Sequence, residues 1–396
     1  MQVITYLFLL FGFIYVGIPV AYIFWMKRVA SLHPWNIKVD STYKPRLDII
    51  LPTYNESDMI ISKLQNLSSL NYPKDLMQVI VVDSDSTDGT AELEENFAKE
   101  NPNFKMLVLQ EAKRTGKSGA LNLGLSRCKG EIVVTTDAGD QWDPNVLNLL
   151  AQYLADPTVG AVAGVEQILN SQQSSATQSE VAYRKLHDYI RIGESKIHST
   201  LILHGGLTAY RRSAFDRFDD KRSGNDEAVS IELVSKGLRC ILLPEAISRY
   251  NDYHSWSGKV SRKITRAWAL IYIWTRCMKL AFQGKFKLPK SVFISNIYIY
   301  LINPIIGLFF YTFAIITMIQ YPVLFIPLAV LLLVKPTRTY FIAFITHNLY
   351  IIIGFFDHAR RTKKHIVWRK VKEPADSLEK TPLVMKPIIS AWECTA

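Results

Sequence analysis

The sequence predicts an α/β domain with a mostly parallel sheet, joined to membrane-spanning helices at both ends. Between Leu47 and about Tyr250, short apolar strand patterns alternate with helical patterns, which is typical of βαβ units. Polar clusters follow three of these strands, at the ends where open parallel sheets bind ligands. Hydrophobic residues make up 49% of the 396-residue chain and concentrate near its two ends. The middle therefore reads as a soluble domain and the ends as membrane segments.

The charge and the cysteines indicate a membrane-bound protein whose soluble domain lies in the cytoplasm. The formal net charge is +11, and much of the excess lies beside the apolar segments. Membrane lipids are therefore expected partners, and nucleic acid is not, since no RNA- or DNA-binding motif accompanies the charge. The cysteines lack metal-type spacing and favour reduced thiols in the cytosol: Cys128, Cys240, Cys277 and Cys394.

An N-terminal anchor is predicted over residues 1–28. The apolar run Ile4–Met26 is about long enough to cross a bilayer, and Lys27 and Arg28 follow it directly. A signal peptide would carry its charge before the apolar run and a small-residue cleavage site after it, so the anchor should stay uncleaved. The positive-inside rule then places the N-terminus outside, and the linker 29–46 and the domain 47–255 in the cytoplasm of a plasma-membrane protein.

The C-terminal region 291–358 is predicted to hold further transmembrane helices. It contains three apolar pieces: Val292–Ile319, Pro322–Val334 and Tyr340–Phe356. A basic cluster beginning at Arg360 indicates that the tail, 359–396, is cytoplasmic. An even number of crossings would satisfy this orientation, so one of the three pieces could be re-entrant or interfacial.

The stretch between the domain and this region, 256–290, is predicted to form one or two amphipathic helices at the membrane interface. From Lys259 to Lys290 it holds nine Lys or Arg residues and no acid, interleaved with aromatic residues such as Trp268 and Trp274. Aromatic and basic side chains favour the headgroup region. The alternative is an ordinary basic surface helix.

Five strands are predicted in the soluble domain: Leu47–Leu51, Val79–Val82, Lys105–Leu109, Ile132–Thr135 and Val159–Val165. Helical patterns lie between them, for example Met59–Leu70 and Thr90–Lys99. Polar clusters follow three strands, at residues 52–56, 83–85 and 137–140. Carboxyl ends of neighbouring parallel strands share one edge, so these clusters should converge. No G-x-G-x-x-G sequence follows the first strand, and a dinucleotide cofactor is not indicated.

The acidic clusters suit the binding of a divalent cation and a nucleoside diphosphate. Such a diphosphate leaves readily only when its charge is neutralised, and carboxylates that hold a hard cation against it provide this. Asp137 is the best candidate ligand and Asp140 a possible second. Asp83 and Asp85 suit recognition of base and ribose, or a share in the metal site. The alternative is that 83–89 is only a turn rich in Asp, Ser, Thr and Gly.

Two further groups have both a functional and a structural interpretation. Lys113, Arg114 and Lys117 lie in a glycine-containing loop that could bind phosphate or could simply be a solvated basic loop. Asp226 and Glu227 open a helical pattern, Ala228–Lys236. Either could act as the base for an acceptor hydroxyl, or both could favour the helix N-terminus by charge and capping.

Together these stretches resemble the processive-type family 2 glycosyltransferases, which include cellulose, chitin and hyaluronan synthases. The resemblance covers roughly Leu47 to Trp268 and extends to the membrane layout. It is carried by these motifs: Pro52-Thr53-Tyr54-Asn55-Glu56, Val81-Val82-Asp83-Ser84-Asp85-Ser86-Thr87-Asp88-Gly89-Thr90, Lys117-Ser118-Gly119-Ala120-Leu121-Asn122, Gly205-Gly206 through Arg211-Arg212, Asn225-Asp226 and Leu243-Pro244-Glu245-Ala246.

The resemblance implies a GT-A domain, a Mg²⁺ or Mn²⁺ cofactor and transfer with inversion at the anomeric carbon. Asp226 matches the general base, and Asp137 and Asp140 are the candidate metal ligands. The donor is expected to be a UDP-sugar, with a GDP-sugar still open. Substrate contacts are expected from the residues that match the family motifs: Pro52, Tyr54, Glu56, Asp83, Asp85, Lys117, Asn122, Gly205, Gly206 and Arg266.

Three departures shape the expected function. The D-x-D motif reads Asp137-Ala138-Gly139, so either Asp140 replaces its second Asp or the metal is held by Asp137 and phosphate alone. Asn225 replaces the Glu of Glu-Asp. The Q-x-x-R-W signature reads Lys263-Ile264-Thr265-Arg266-Ala267, with Trp268 one place late. The sequence therefore favours transfer of one or a few sugars to a lipid-linked or other membrane-proximal glycan acceptor. The alternatives are a processive polysaccharide synthase and a non-catalytic nucleotide-binding scaffold.

Overall fold

The computed structural model describes residues 2–219, 225–252 and 256–360. It confirms the predicted α/β domain and the apolar helices near both ends. The described residues form one eight-stranded sheet. Its strands are β1 (Leu47–Thr53), β2 (Met77–Asp83), β3 (Met106–Gln110), β4 (Ile132–Thr135), β5 (Gln141–Trp142), β6 (Val159–Ile168), β7 (Thr208–Arg211) and β8 (Arg239–Tyr250).

The sheet has the order β3-β2-β1-β4-β7-β6-β8-β5 and is parallel on one side of β7 and mixed on the other. Strands β3, β2, β1 and β4 run parallel, as predicted. Strand β7 is antiparallel to both β4 and β6, while β6 and β8 pair in parallel. In the register of β1 and β2, Thr53 lies opposite Asp83, so two of the predicted polar clusters begin side by side.

Helices cover both faces of the sheet, which explains why its central strands are almost wholly apolar. Ile50, Ile80 and Val133 point into one core, and Ile49, Val79 and Val134 point into the other. The helices of the domain are α3 (Ile60–Ser68), α4 (Thr90–Glu100), α5 (Lys117–Leu125), α6 (Val146–Leu154), α7 (Ser175–Ile197) and α8 (Asn225–Ser235).

Within the described residues, three helical stretches are long and apolar enough to cross a membrane: Val3–Leu32, Lys290–Gln320 and Thr337–Phe356. The first joins α1 (Gln2–Gly12) to α2 (Ile18–Leu32) through a π-helical segment, Phe13–Gly17. The second comprises α10 (Lys290–Ile297), a π-helical segment, Tyr298–Ile302, and α11 (Asn303–Gln320), and the third lies in α13 (Lys335–Arg360). Of the three predicted C-terminal pieces, Pro322–Val334 forms only short helices, Pro322–Phe325 and α12 (Ile326–Leu331), and is not a candidate span.

The segment predicted to lie at the membrane interface forms one long helix, α9 (Trp256–Phe282). Helix α9 packs so closely against the C-terminal part of α13 that a Cβ at Gly354 would lie 2.8 Å from the Cβ of Ala267. The interfacial location stays a prediction. The tail from 361 onwards lies outside the described residues.

Helix α7 of the α/β domain packs directly against α2 in the N-terminal helical stretch. A Cβ at Gly193 would lie 2.6 Å from the carbonyl oxygen of Met26, so the two backbones are in direct contact. The next residue, Glu194, is buried and accepts hydrogen bonds from Tyr22 Oη (2.8 Å) and from Asn296 Nδ2 (2.6 Å). A buried carboxylate with two donors is a specific connection between the domain and two membrane helices.

Candidate active site

The carboxyl ends of β1, β2 and β4 meet at one edge of the sheet, as the strand-end rule predicts. Asp83 ends β2 and is only 2% exposed. Its Oδ1 accepts a hydrogen bond from the Ser86 amide at 3.0 Å, and its buried Oδ2 has no hydrogen-bond partner among the described residues. An unpaired buried carboxylate oxygen is costly, so this atom is suited to accept an N–H from a ligand.

The loops after β1 and β2 are tied together by Asn55. Its amide donates to Ser86 Oγ (2.9 Å) and its Oδ1 accepts from the Thr87 amide (2.8 Å). Asn55 and Asp85 have φ angles of +54° and +62°, a conformation that Asn and Asp tolerate better than most residues. Asp85 is exposed at the rim of the cleft.

The other predicted contacts of the first cluster lie at the end of β1 and in the loop that follows it. Pro52 is still part of β1, opposite Val82. Tyr54 lies under the guanidinium of Arg114, whose Cζ is 3.5 Å from the ring centroid. The backbone amide of Glu56 donates to Thr90 Oγ1 at 2.8 Å. A cation over an aromatic face is worth about 0.5–1 kcal/mol at an exposed site, so a ligand could displace Arg114 from the Tyr54 ring.

Lys117 connects the metal-ligand candidate to the base candidate. It begins α5, and its Nζ lies 2.6 Å from Asp137 Oδ1. A Cβ added at Gly205 would lie 3.1 Å from Lys117 Nζ and 2.4 Å from Asp226 Oδ2, so both side chains face the same glycine. The side chains of Lys117 and Asp137 are 26% and 46% exposed, and such a pair contributes at most about 1 kcal/mol to stability. The structure thus brings Lys117, Asp137, Asp226 and Gly205 into one cleft.

Asp226 is held by a residue that the sequence analysis did not identify. Its Oδ1 accepts a hydrogen bond from the hydroxyl of Tyr210, at 2.9 Å. Burial raises the pKa of the Asp226 carboxyl, while Lys117 and Tyr210 act in the opposite direction. The neighbouring Glu227 has a pKa raised to about 7 by burial and by the Asp226 charge. For Lys117, burial alone would lower the pKa, but the carboxylates of Asp137 and Asp226 outweigh it and raise the pKa.

Asp140 lies in a different environment from Asp137. It is 6% exposed, and its Oδ1 accepts from Ser248 Oγ at 2.9 Å. Its backbone carbonyl accepts from Lys63 Nζ at 2.6 Å, and a Cβ at Gly206 would lie 2.3 Å from its Oδ2. Burial raises the pKa of Asp140 and lowers that of Lys63. This geometry favours a role for Asp140 in fixing the loop against Gly206, and it does not favour metal binding.

The protein side chains described above therefore fit a divalent cation only if a bound nucleoside diphosphate supplies most of the coordinating oxygen atoms. Among the described residues, no group of three His, Cys, Asp or Glu side chains is arranged to hold a metal ion. Asp137 offers one half-exposed carboxylate at the cleft. A cation that binds one protein carboxylate and two phosphate groups matches the way Mg²⁺ is usually held with nucleotides.

Two further predicted contacts, Asn122 and Arg266, interact with other protein groups. The side-chain amide of Asn122 donates from Nδ2 to the Phe218 carbonyl (3.0 Å) and accepts at Oδ1 from the Phe218 amide (2.8 Å). Asn122 therefore fixes the 215–218 loop, and direct substrate contact stays a prediction. Arg266 is exposed on α9, and its charge helps to lower the pKa of Glu166 and opposes the rise at Glu227.

Comparison with known proteins shows that this domain is similar to glycosyltransferases. The family model described as Glycosyl transferase family 2 matches residues 48–218. The probable glycosyltransferase YdaM of Bacillus subtilis (strain 168) is 25% identical over 221 residues, which are 54% of this chain and 52% of that protein. The poly-beta-1,6-N-acetyl-D-glucosamine synthase of Staphylococcus aureus (strain MSSA476) is 30% identical over 205 residues, 51% and 48% of the two chains. The chain thus spans about half the length of these curated relatives.

A solved structure matches over much more of the chain. The mannosyltransferase PcManGT from Pyrobaculum calidifontis, in complex with GDP-Man and Mn²⁺, is 28% identical. It superposes with a TM-score of 0.78 and covers 91% of this chain and 100% of its own. The match extends beyond 48–218, so it includes helical regions outside the sheet. The chain therefore carries a family 2 glycosyltransferase domain with the GT-A fold.

Proposed function

We propose that this protein is an inverting glycosyltransferase that moves a sugar from a nucleoside-diphosphate donor to a lipid-linked or membrane-proximal acceptor. The observation that carries the proposal is the shared cleft of Lys117, Asp137, Asp226 and Gly205 at the carboxyl edge of the sheet. These groups come from four separate parts of the chain. A merely structural role would not require them to face one solvent-accessible point.

In the proposed reaction, Asp226 removes the proton from the acceptor hydroxyl as that oxygen attacks the anomeric carbon. The bond to the diphosphate breaks on the opposite face, so the configuration inverts and no protein nucleophile is needed. In this proposal, the Lys117 ammonium interacts with the negative charge of the departing diphosphate. A Mg²⁺ or Mn²⁺ ion held by Asp137 and the diphosphate would neutralise the leaving group when bound.

The donor is proposed at the level of its chemical class. Asp83 Oδ2 can accept an N–H from either uracil or guanine, so the described pocket does not separate UDP-sugars from GDP-sugars. Relatives named for N-acetylglucosamine favour a UDP-sugar, and the PcManGT complex with GDP-Man favours a GDP-sugar. Both classes belong in the first assay.

The membrane helices support an acceptor that lies at the bilayer. The described residues contain one candidate span before the domain and two after it. The two later crossings would return the chain to the side of the membrane on which the domain lies. With Lys27 and Arg28 in the last turns of the first span, the positive-inside rule supports a cytoplasmic location for the catalytic domain. A lipid-linked acceptor would then lie beside the domain, on the side where α7 contacts α2.

The test uses the full-length chain in detergent with UDP-GlcNAc, UDP-glucose and GDP-mannose, each with Mg²⁺ or Mn²⁺. We expect release of nucleoside diphosphate with one donor. In Asp226→Asn, we expect transfer to fall by about 10²- to 10⁴-fold, the usual contribution of a general base, while nucleotide binding is retained.

Two outcomes would contradict the proposal. Normal transfer by Asp226→Asn would remove Asp226 as the base. Retained nucleotide binding without product release for any donor would favour the alternative, a non-catalytic nucleotide-binding scaffold.

A further inference from the structure

We propose that Tyr210 is a positioning residue for the base Asp226, and that Gly205 keeps the second oxygen of this carboxylate open to the acceptor hydroxyl. This inference rests on the proposed function, because it assigns separate tasks to the two oxygens of the proposed base. Oδ1 accepts the hydrogen bond from Tyr210, and Oδ2 takes the proton from the acceptor hydroxyl.

Tyr210 is well placed to fix one oxygen of the carboxylate. It lies on β7, which pairs with β4 on one side and β6 on the other, so its backbone is held from both edges. Its ring is fully buried and packs against Phe215 and Phe218, with centroid distances of 5.4 and 5.9 Å. The ring position is therefore set by the core and not by the hydroxyl, which donates to Asp226 Oδ1 at 2.9 Å.

The second oxygen faces the cleft. A Cβ at Gly205 would lie 2.4 Å from Asp226 Oδ2, a distance at which the two atoms cannot coexist without movement. Any side chain at 205 would thus cover the oxygen that must reach the acceptor. Glycine here serves close approach, because its φ lies outside the left-handed region.

The hydrogen bond also affects the ionisation of the base. The charged groups around Asp226 come from α5, the end of β4, β6 and its own helix: Lys117, Asp137, Glu166 and Glu227. Burial raises the pKa of Asp226, while Lys117 and the Tyr210 hydroxyl lower it. Since the hydrogen bond from the Tyr210 hydroxyl stabilises the ionised carboxylate, loss of this hydroxyl should raise the pKa of Asp226.

The first test is Tyr210→Phe in the full-length protein, with the donor that supports turnover. The ring and its packing remain, and only the hydroxyl is lost. We expect kcat to fall by about 10-fold while the donor KM stays within about 2-fold, since a fixed base acts in the transition state. The acidic limb of the pH profile of kcat/KM should move to higher pH by about one unit.

Tyr72→Phe is the matched control. The Tyr72 hydroxyl is also buried, and it donates to the Pro45 carbonyl at 2.6 Å on a different part of the domain. Its loss should cost similar stability and leave both kcat and the acidic limb unchanged. Wild-type kcat and an unmoved limb in Tyr210→Phe would overturn the inference. So would equal losses in the two variants, because they would show general destabilisation.

Gly205→Ala tests the other oxygen. We expect at least about a 100-fold loss of kcat with nucleotide binding retained, because the methyl group covers the proton-accepting atom. Full activity in Gly205→Ala would show that Oδ2 is not the working oxygen. Failure of the proposed function is recognised separately, because wild-type protein would then transfer no sugar and neither variant would be needed to show it.

Discussion

At the scale of single residues, the acidic loop after β4 shows how environment separates two identical side chains. Asp137 is 46% exposed and forms an ion pair with Lys117, in a contact that a cation could replace. Asp140, three residues on, is buried and fixed by Ser248 and by the approach of Gly206. The attraction between exposed charges is weak, so one partner can be replaced at little cost. Disturbing a buried and hydrogen-bonded carboxylate costs much more free energy.

This contrast predicts different results for two substitutions. Asp137→Ala should remove the Mn²⁺-dependent part of nucleoside-diphosphate binding and weaken Kd in Mn²⁺ by about 10-fold or more, because the carboxylate proposed to hold the metal is lost. Asp140→Asn should keep the response to Mn²⁺ but lower the free energy of unfolding by roughly 1–3 kcal/mol, since it disturbs a buried hydrogen-bonded group.

Calorimetric titration with and without Mn²⁺, together with thermal unfolding of both variants, checks this prediction. A full Mn²⁺ response in Asp137→Ala would remove Asp137 from the metal site. An abolished response in an intact Asp140→Asn would show that Asp140 is a ligand after all.

The sequence allowed part of this site to be predicted. The strand-end rule located Asp83 and Asp137, because an acid directly after an apolar strand is unusual and points to one edge of the sheet. Tyr210 was not identified, because a tyrosine in the short strand Thr208–Arg211 cannot be distinguished from a core residue by sequence alone. Lys63 was missed for a similar reason. It lies on the buried face of α3, and its carbonyl partner at Asp140 is 77 residues away.

At the scale of elements, the parallel strands β1 to β4 were predictable from the sequence, and the antiparallel strand β7 was harder to predict. Strands β1 to β4 alternate with helices along the chain, so local pattern and order suffice. Strand β7 has only four residues and inserts between β4 and β6, although it begins 40 residues after β6 ends, and no local periodicity encodes this insertion. The spatial relation of Asp226 to the sheet depends on this insertion, because Tyr210 belongs to β7.

The crossing of α2 and α7 predicts a sharp sensitivity at Gly193. A Cβ there would lie 2.6 Å from the Met26 carbonyl oxygen, and backbone atoms of a packed helix cannot move aside cheaply. Gly193→Ala should therefore lower the free energy of unfolding by about 1–3 kcal/mol, as overpacking usually does. It should also speed proteolysis in the linker that follows α2, because the helix would be held less firmly.

Gly17→Ala is the control for this prediction. A Cβ at Gly17 meets only the Phe13 ring, at 3.4 Å, which is an ordinary contact. Replacing glycine by alanine within a helix is otherwise favourable by up to about 1 kcal/mol. Thermal unfolding in the same detergent compares the two variants. Equal stability of Gly193→Ala and Gly17→Ala would show that α2 and α7 do not pack as described.

At the scale of the whole molecule, α7 links the cleft to the membrane helices through a polar stripe. Its charged and aromatic side chains recur every three or four residues along one face: Glu180, Tyr183, Arg184, His187, Asp188, Arg191 and Glu194. Arg191 Nη1 lies 3.0 Å from His204 Nε2, the residue before Gly205, and one helical turn later Glu194 accepts hydrogen bonds from Tyr22 and Asn296. The stripe cannot be recognised from the sequence, because its partners come from other helices and loops.

The same stripe bears on the question of one sugar or a polymer. Lys263 holds the place of the Gln in the Q-x-x-R-W signature, and it is buried. Its Nζ donates to Glu180 Oε1 at 2.8 Å and lies 3.8 Å from the centroid of the Tyr183 ring. A side chain held in this way cannot also bind a growing glycan. Lys263 therefore acts as a link between α9 and α7, which agrees with the expectation of short products.

We therefore predict that the full-length protein adds one or a few sugars per acceptor. With radiolabelled donor and host membranes as the acceptor source, the label should enter solvent-extractable products of low mass. Lys263→Gln, which restores the family residue, should lower thermal stability without lengthening the product, because the ion pair with buried Glu180 is lost. Label in an insoluble polymer at low enzyme concentration would instead establish processive synthesis, and longer products from Lys263→Gln would show that this position controls chain length.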